Sequence, residues 1–132
     1  MSSTEFTAMS PDLQNALADE LPVGHLDIEV LAKHIDSLGH ANNAVYVKYF
    51  ERARIAFYAQ LGLALESPYP PRLGTVVVNL NVNFREECVA GDQLALVTRG
   101  LRRGNRSFVL EQRLSRKHGK LVADCIATGT QA

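Results

Sequence analysis

The chain has 132 residues, 46% of them hydrophobic and 21% charged; these values suit one globular domain and exclude collagen-like, disordered and disulfide-scaffold classes. Fourteen basic and fourteen acidic side chains cancel, so no global field draws the protein to nucleic acid or a membrane surface, and any polyanion site must be local. The longest apolar runs, such as Thr75-Val76-Val77-Val78, fall far short of the roughly 20 residues that span a bilayer.

Met1-Ser2-Ser3-Thr4-Glu5 has neither the basic start nor the apolar stretch of a secretory signal, so a cytoplasmic protein is expected. Residues 1–22 are polar and end in Pro22, with Leu13, Leu17 and Leu21 at helical spacing. They read as an arm with one short helix ahead of a single domain over 23–132. From His25 to Lys33, alternation at Leu26, Ile28 and Val30 predicts a first strand with one buried face. A turn-like stretch, Asp36-Ser37-Leu38-Gly39-His40, follows. Residues 43–61 hold no Pro or Gly, and Tyr46, Phe50, Ala53, Phe57 and Leu61 mark one face of a long helix. Asn42 is the expected N-cap and Gly62 the C-terminal stop.

Ser67-Pro68-Tyr69-Pro70-Pro71 reads as a loop, since each proline lacks a donor N–H. Period-two alternation then predicts four strands, Val76–Phe84, Gln93–Leu101, Ser107–Ser115 and Leu121–Thr128. In the first, Val78, Leu80, Val82 and Phe84 are expected on one face and Asn79, Asn81 and Asn83 on the other. Breakers at Gly104-Asn105 and His118-Gly119 are short enough for antiparallel hairpins. Cys88 and Cys125 lie in strand-like contexts without a ligand partner at short spacing, and read as reduced, buried small hydrophobes rather than a zinc site. The pattern is α+β, one long helix covering a face of a curled five-stranded antiparallel sheet. A sheet this small leaves an edge open, and pairing with a second copy is the expected cover.

The segment from His34 to Tyr46 carries the chemistry. It sets the carboxylate of Asp36 seven residues before the first turn of a long helix, whose free N–H groups and positive dipole end suit a developing oxyanion. From spacing alone an Asx-type turn is the simpler reading of Asp36, with Gly39 for conformation and Asn42 as cap.

The run Asp36-x-x-Gly39-His40-x-Asn42-Asn43-x-x-Tyr46, followed by Tyr49-Phe50-Glu51-x-Ala53-Arg54, Asn81-x-x-Phe84-Arg85, Gly91-Asp92 and Gly104-x-Arg106-Ser107, closely resembles the signature of the 4-hydroxybenzoyl-CoA thioesterase-like branch of the hotdog-fold acyl-CoA thioesterases. The likeness spans roughly residues 25–129. It implies a five-stranded antiparallel sheet wrapped around one helix, sheets joined edge to edge in a homodimer or homotetramer, and active sites at the subunit interface. It also implies that Asp36 is the catalytic nucleophile or general base, and that the backbone N–H of Asn43 polarises the thioester carbonyl. The family often continues Phe-x-Arg-Pro-Ala where this chain reads Phe84-Arg85-Glu86-Glu87-Cys88.

His34, Asp36 and His40 could be imagined as a metal site, but a loop offers poor geometry for one, and the resemblance calls for no metal. His40 is instead expected to hold the loop or to stand beside the thioester. Asn42 is read as the cap with substrate nearby, and Tyr46 and Phe50 as helix core or pocket wall. Residues 101–120 carry Arg102, Arg103, Arg106, Arg113, Arg116, Lys117 and Lys120 against Glu111 alone. That stretch is either a solvated face or, through Arg102, Arg103, Arg106 and Ser107, a clamp for the phosphates of coenzyme A. The lack of aromatic interleaving beyond Phe108 speaks against nucleic acid. The expectation is an acyl-CoA thioesterase with no cofactor beyond the coenzyme A of its substrate. Its rivals are a non-catalytic acyl-CoA-binding or regulatory hotdog protein and a hotdog hydratase or dehydratase, which would more usually pair a His with an acid in the helix region.

Overall fold

The computed structural model describes residues 23–60, 75–103 and 107–131. The expected arm over 1–22, Leu61 and Gly62, the proline loop and Gly104, Asn105 and Arg106 lie outside them.

Strand β1 (Val23–Glu29) leads through a 3-10 turn (Ala32–His34) and a loop to helix α1 (Asn43–Gln60). Strands β2 (Thr75–Phe84), β3 (Gln93–Arg103), β4 (Ser107–Arg116) and β5 (Leu121–Gln131) follow. Asn42 caps the helix as its residue type predicts: its Oδ1 accepts from the Val45 N–H at 3.2 Å. The face of α1 marked by Tyr46, Phe50, Ala53 and Phe57 is buried, together with Tyr49, Arg54 and Tyr58. Each large apolar side chain buried there contributes about 1.5–3 kcal/mol, which fastens the helix against β1 and β3.

The strands form one sheet in the order β1-β3-β4-β5-β2, every neighbouring pair antiparallel. Leu94 and Leu96 of β3, Leu110 and Leu114 of β4, and the small Ala123, Cys125 and Ala127 of β5 line its inner face, all buried. Small residues on β5 leave room for the aromatic face of the helix; Phe50, wholly buried, belongs to the same core.

Three expectations are corrected. β1 stops at Glu29 rather than Lys33, because its ladder partner begins opposite it at Gln93; Val30 is still held, accepting from Gly91 N–H at 2.8 Å, and the chain then turns. Val78 does not share the inner face with Leu80 and Val82. A bulge between Val77 and Asn79 takes it out of register, and it is 59% exposed. Cys88 is buried, but in the link after β2 rather than in a strand.

A polar cluster sits in the core. Arg54 donates from Nη1 to Oε1 of the buried Gln112 at 3.0 Å, and Gln112 Nε2 donates to the Phe50 carbonyl at 2.9 Å and to Thr98 Oγ1 at 3.1 Å. Thr98 and Gln112 are direct cross-strand neighbours. Among the described residues no carboxylate pairs with Arg54.

The two sheet edges differ. β1 is seven residues long and carries Asp27 and Glu29, whereas β2 is ten residues long without one charged side chain. Charge discourages strand addition, so β2 is the edge open to it.

Candidate active site

The loop before α1 is folded on itself. Ile35 and Ala41 form an antiparallel bridge, the Asp36 N–H donates to the His40 carbonyl at 3.2 Å and the Gly39 N–H to the Asp36 carbonyl at 3.0 Å. Gly39 turns the chain at φ 86°, a region costly to residues with a Cβ. Asp36 Oδ1 accepts from the Leu38 N–H at 2.9 Å. The expected Asx turn is therefore real, and it commits one carboxylate oxygen; no described donor meets Oδ2.

Both legs of the loop are anchored. The Ala41 N–H donates to the Cys88 carbonyl at 2.9 Å. On the other side His34 Nδ1 lies 2.9 Å from Tyr49 Oη.

Asp36, His40, Asn42, Asn43 and Tyr46 come together around one open cleft of about 650 Å³, walled further by Leu38, Phe84, Arg85, Glu86 and Glu87. Such a volume suits a small-molecule ligand. Asn43 is the first residue of α1, and among the described residues no acceptor meets its N–H or that of Ala44, so two donors and the positive end of the helix open onto the cleft. Tyr46 is both core and wall: it is 2% exposed, its ring stacks on Phe84 at 5.8 Å and 27°, and its hydroxyl donates to the Glu86 carbonyl at 3.0 Å. Burial raises its pKa above the ordinary phenol value. Its hydroxyl therefore stays protonated and acts as a staple.

Glu86 and Glu87, flagged in the sequence without a role, stand at the cleft wall. Glu86 lies 3.7 Å from Lys120, and Glu87 lies 3.7 Å from His40 Nε2. His40 Nδ1 sits 3.4 Å from the Ala41 carbonyl. The acid closest to His40 is thus outside hydrogen-bonding distance and outside the helix, unlike the His–acid pair expected of a hydratase. Arg85 is tied to Asp124, which also accepts from Asn83 Nδ2 at 2.8 Å. Burial alone would raise the Asp124 pKa, yet the hydrogen bonds from Arg85 and Asn83 hold it below the usual carboxylate value. Both cysteines are free; burial raises the Cys88 thiol and pushes Cys125 up to about 11, which leaves them poor nucleophiles. Among the described residues no three His, Cys, Asp or Glu side chains gather as a metal site.

Part of the basic stretch is neutralised locally: Arg116 pairs with Asp92 at 2.8 Å, Lys117 with Asp27 at 3.5 Å and Lys120 with Glu86 at 3.7 Å, while its one acid, Glu111, pairs with Arg99 outside it at 3.3 Å. Arg102 is exposed. It and Ser107 sit at the far end of the sheet: Phe84 at the cleft is level with Ala123 and Leu114, and seven residues of β4, roughly 23 Å of strand, separate Leu114 from Ser107. Arg106 lies outside the described residues, and for Arg103 only the backbone is described.

The thioesterase-like superfamily profile matches residues 30–131. The chain belongs to that superfamily. It is an enzyme of the thioesterase class, and its sheet wrapped around one helix is the hotdog fold. This thioesterase is 30% identical over 106 residues, 76% of each chain, to the long-chain acyl-CoA thioesterase FadM of Escherichia coli. The PA2801 protein of Pseudomonas aeruginosa matches it with a TM-score of 0.74 at 27% identity, over 84% of both chains. The SAV2348 protein of Staphylococcus aureus, solved in complex with CoA, shares the fold with a TM-score of 0.75 at 17% identity, over 82% of this thioesterase and 68% of that chain.

Proposed function

We propose that this thioesterase is a cytoplasmic enzyme that hydrolyses acyl-CoA thioesters to free acid and coenzyme A. The observation that carries the reading is one cleft that holds both the Asp36 carboxylate, with Oδ2 uncommitted, and the open N–H groups of Asn43 and Ala44. The acyl-CoA substrate named for FadM and the CoA held by SAV2348 support it.

With the thioester carbonyl oxygen on the helix N-terminus, positive charge builds on the carbonyl carbon and the donors stabilise the oxyanion as it forms. Asp36 Oδ2 then acts in one of two ways. As general base it takes a proton from water, whose oxygen adds to the carbonyl carbon; collapse expels the thiolate, which receives that proton. As nucleophile it forms an acyl anhydride with loss of the thiolate, and water cleaves the anhydride. Neither route moves electrons to an external acceptor, so coenzyme A enters only as part of the substrate. His40 and Tyr46 wall the reacting end, and Asn42 holds the helix start.

The enzyme works as a homo-oligomer. Two copies joined antiparallel along the uncharged β2 edge set the Phe84 end of one against the Thr75 end of the other. That brings the end of the second sheet bearing Arg102 and Ser107 toward the first copy's cleft. The basic residues, remote within one chain, then reach the nucleotide of coenzyme A across the interface.

Thiol release measured over short, long and aromatic acyl-CoAs tests the activity and the acyl class together. The expected result is release from at least one class, with acyl-pantetheines, which lack the nucleotide, showing a higher KM and a similar kcat. Light scattering is expected to report at least twice the mass of one chain. A monomer active at that mass would remove the shared site.

A further inference from the structure

The carboxylate read above as the reacting group has no direct bond to the body of the domain. Besides the apolar packing of Ile35 and Ala41 on the core, two hydrogen-bonded anchors, one on each leg, fix its loop to the domain. On the C-terminal leg the anchor is the backbone bond from Ala41 to Cys88 at 2.9 Å, which no change of pH below the amide range alters. On the N-terminal leg the anchor is a side chain, His34, two residues before Asp36.

His34 Nδ1 receives the Leu31 N–H at 3.3 Å. A backbone amide only donates, so Nδ1 carries no proton, and the Tyr49 hydroxyl at 2.9 Å must be the donor in the shorter bond. The two rings also meet edge to face, at 5.4 Å and 72°. One imidazole nitrogen thus ties the 3-10 turn to itself and to the second turn of α1. The arrangement exists only while the ring is neutral: a proton on Nδ1 would meet the Leu31 N–H head on. Tyr49 could turn to accept, but Leu31 could not.

We propose, on the reading of Asp36 given above, that His34 is a positioning residue for hydrolysis: hydrogen-bonded between Leu31 and Tyr49 it sets where Asp36 stands in the cleft, and protonation of its ring releases that leg of the loop.

The surroundings keep the ring neutral. Burial is the first cause of its lowered pKa, followed by the positive charges of Lys33 on its own turn and of Arg52 and Lys48 on the facing helix. No described carboxylate is among the groups that shift it. Tyr49 is in turn pushed up to about 12, chiefly by burial, so it remains a donor at any physiological pH. A lowered folded-state pKa means that the latch is intact above the ordinary histidine value and is lost as pH falls through the lower folded value.

Two variants and one activity-independent measurement test this. His34→Asn places an amide oxygen where Nδ1 stands and removes the titration. It is expected to keep kcat near the parent value at pH 8 and to move the acid limb of kcat to lower pH. Tyr49→Phe removes only the hydroxyl that favours the neutral ring; the limb should move to higher pH, with kcat lowered about tenfold and KM within about twofold, the scale of a misplaced reacting group. A merely structural role would change stability and leave the limb where it is, and an unmoved limb in His34→Asn overturns the proposal. In the parent enzyme, NMR of the imidazole and of the Leu38 and Gly39 amides should report one common midpoint below the ordinary histidine value. Amides that ignore the His34 titration would also overturn it. If no acyl-CoA is hydrolysed, the functional reading fails, while the NMR result still decides whether His34 governs the loop.

Discussion

Asp36→Asn is expected to lower turnover by at least about a hundredfold, the scale of a removed general base, with the fold unchanged. The reason for choosing asparagine lies in the loop itself. Asp36 Oδ1 accepts from the Leu38 N–H at 2.9 Å, and an amide oxygen preserves that bond, so the Asx turn and the bridge between Ile35 and Ala41 survive. What is lost is Oδ2, which becomes an NH₂ group that can neither attack a carbonyl nor take a proton from water. The check is steady-state thiol release beside a thermal melt. Turnover within a few-fold of the parent, at an unchanged melting temperature, would make Asp36 a turn residue and nothing more.

The largest effect on stability is expected at Gln112. Gln112→Leu keeps side-chain bulk but removes the described partner of the Arg54 guanidinium, which is 8% exposed, and leaves Thr98 Oγ1 and the Phe50 carbonyl short of a donor. Leaving a buried polar group without its hydrogen-bond partner costs about 1–3 kcal/mol, and more when the orphaned group is charged. Adding Arg54→Met to Gln112→Leu replaces both polar groups by apolar ones and should recover most of that loss, because the penalty belongs to the orphaned charge rather than to the missing bond. Urea unfolding of the parent, the single and the double variant measures both steps. A single-variant cost under about 1 kcal/mol, or no recovery in the double, would show that the cluster does not hold the core.

Parts of this were visible in the chain. Arg54 follows Phe50 by four positions on the helix face that is otherwise apolar, and Gln112 falls between Leu110 and Leu114 on an inward strand face. Each is a polar residue at a core position, and each alone is only an oddity. That they meet, 58 positions apart, is a matter of how β4 lies under α1. The same holds for His34 and Tyr49: periodicity places Tyr49 on the helix and leaves His34 between the expected strand and the expected turn, but nothing in the spacing brings their side chains within 2.9 Å.

What the sequence determined by itself is what local physics controls. Period 3.6 over 43–61, the cap at Asn42, the period-two strands and the hairpin breakers were all legible, because backbone hydrogen bonding and apolar patterning act over a few residues. The resemblance carried Asp36 and the Asn43 amide to one site in the same way, since seven residues of one loop separate them. Tertiary structure decided the rest. It chose the strand order β1-β3-β4-β5-β2, took Val78 out of line by a bulge, brought Phe84, Glu86 and Glu87 from beyond the helix to the cleft wall, and carried Arg102 and Ser107 to the far end of the sheet. Those are outcomes of long-range packing, where loop-closure entropy, side-chain volume and ladder register are settled together by the whole core.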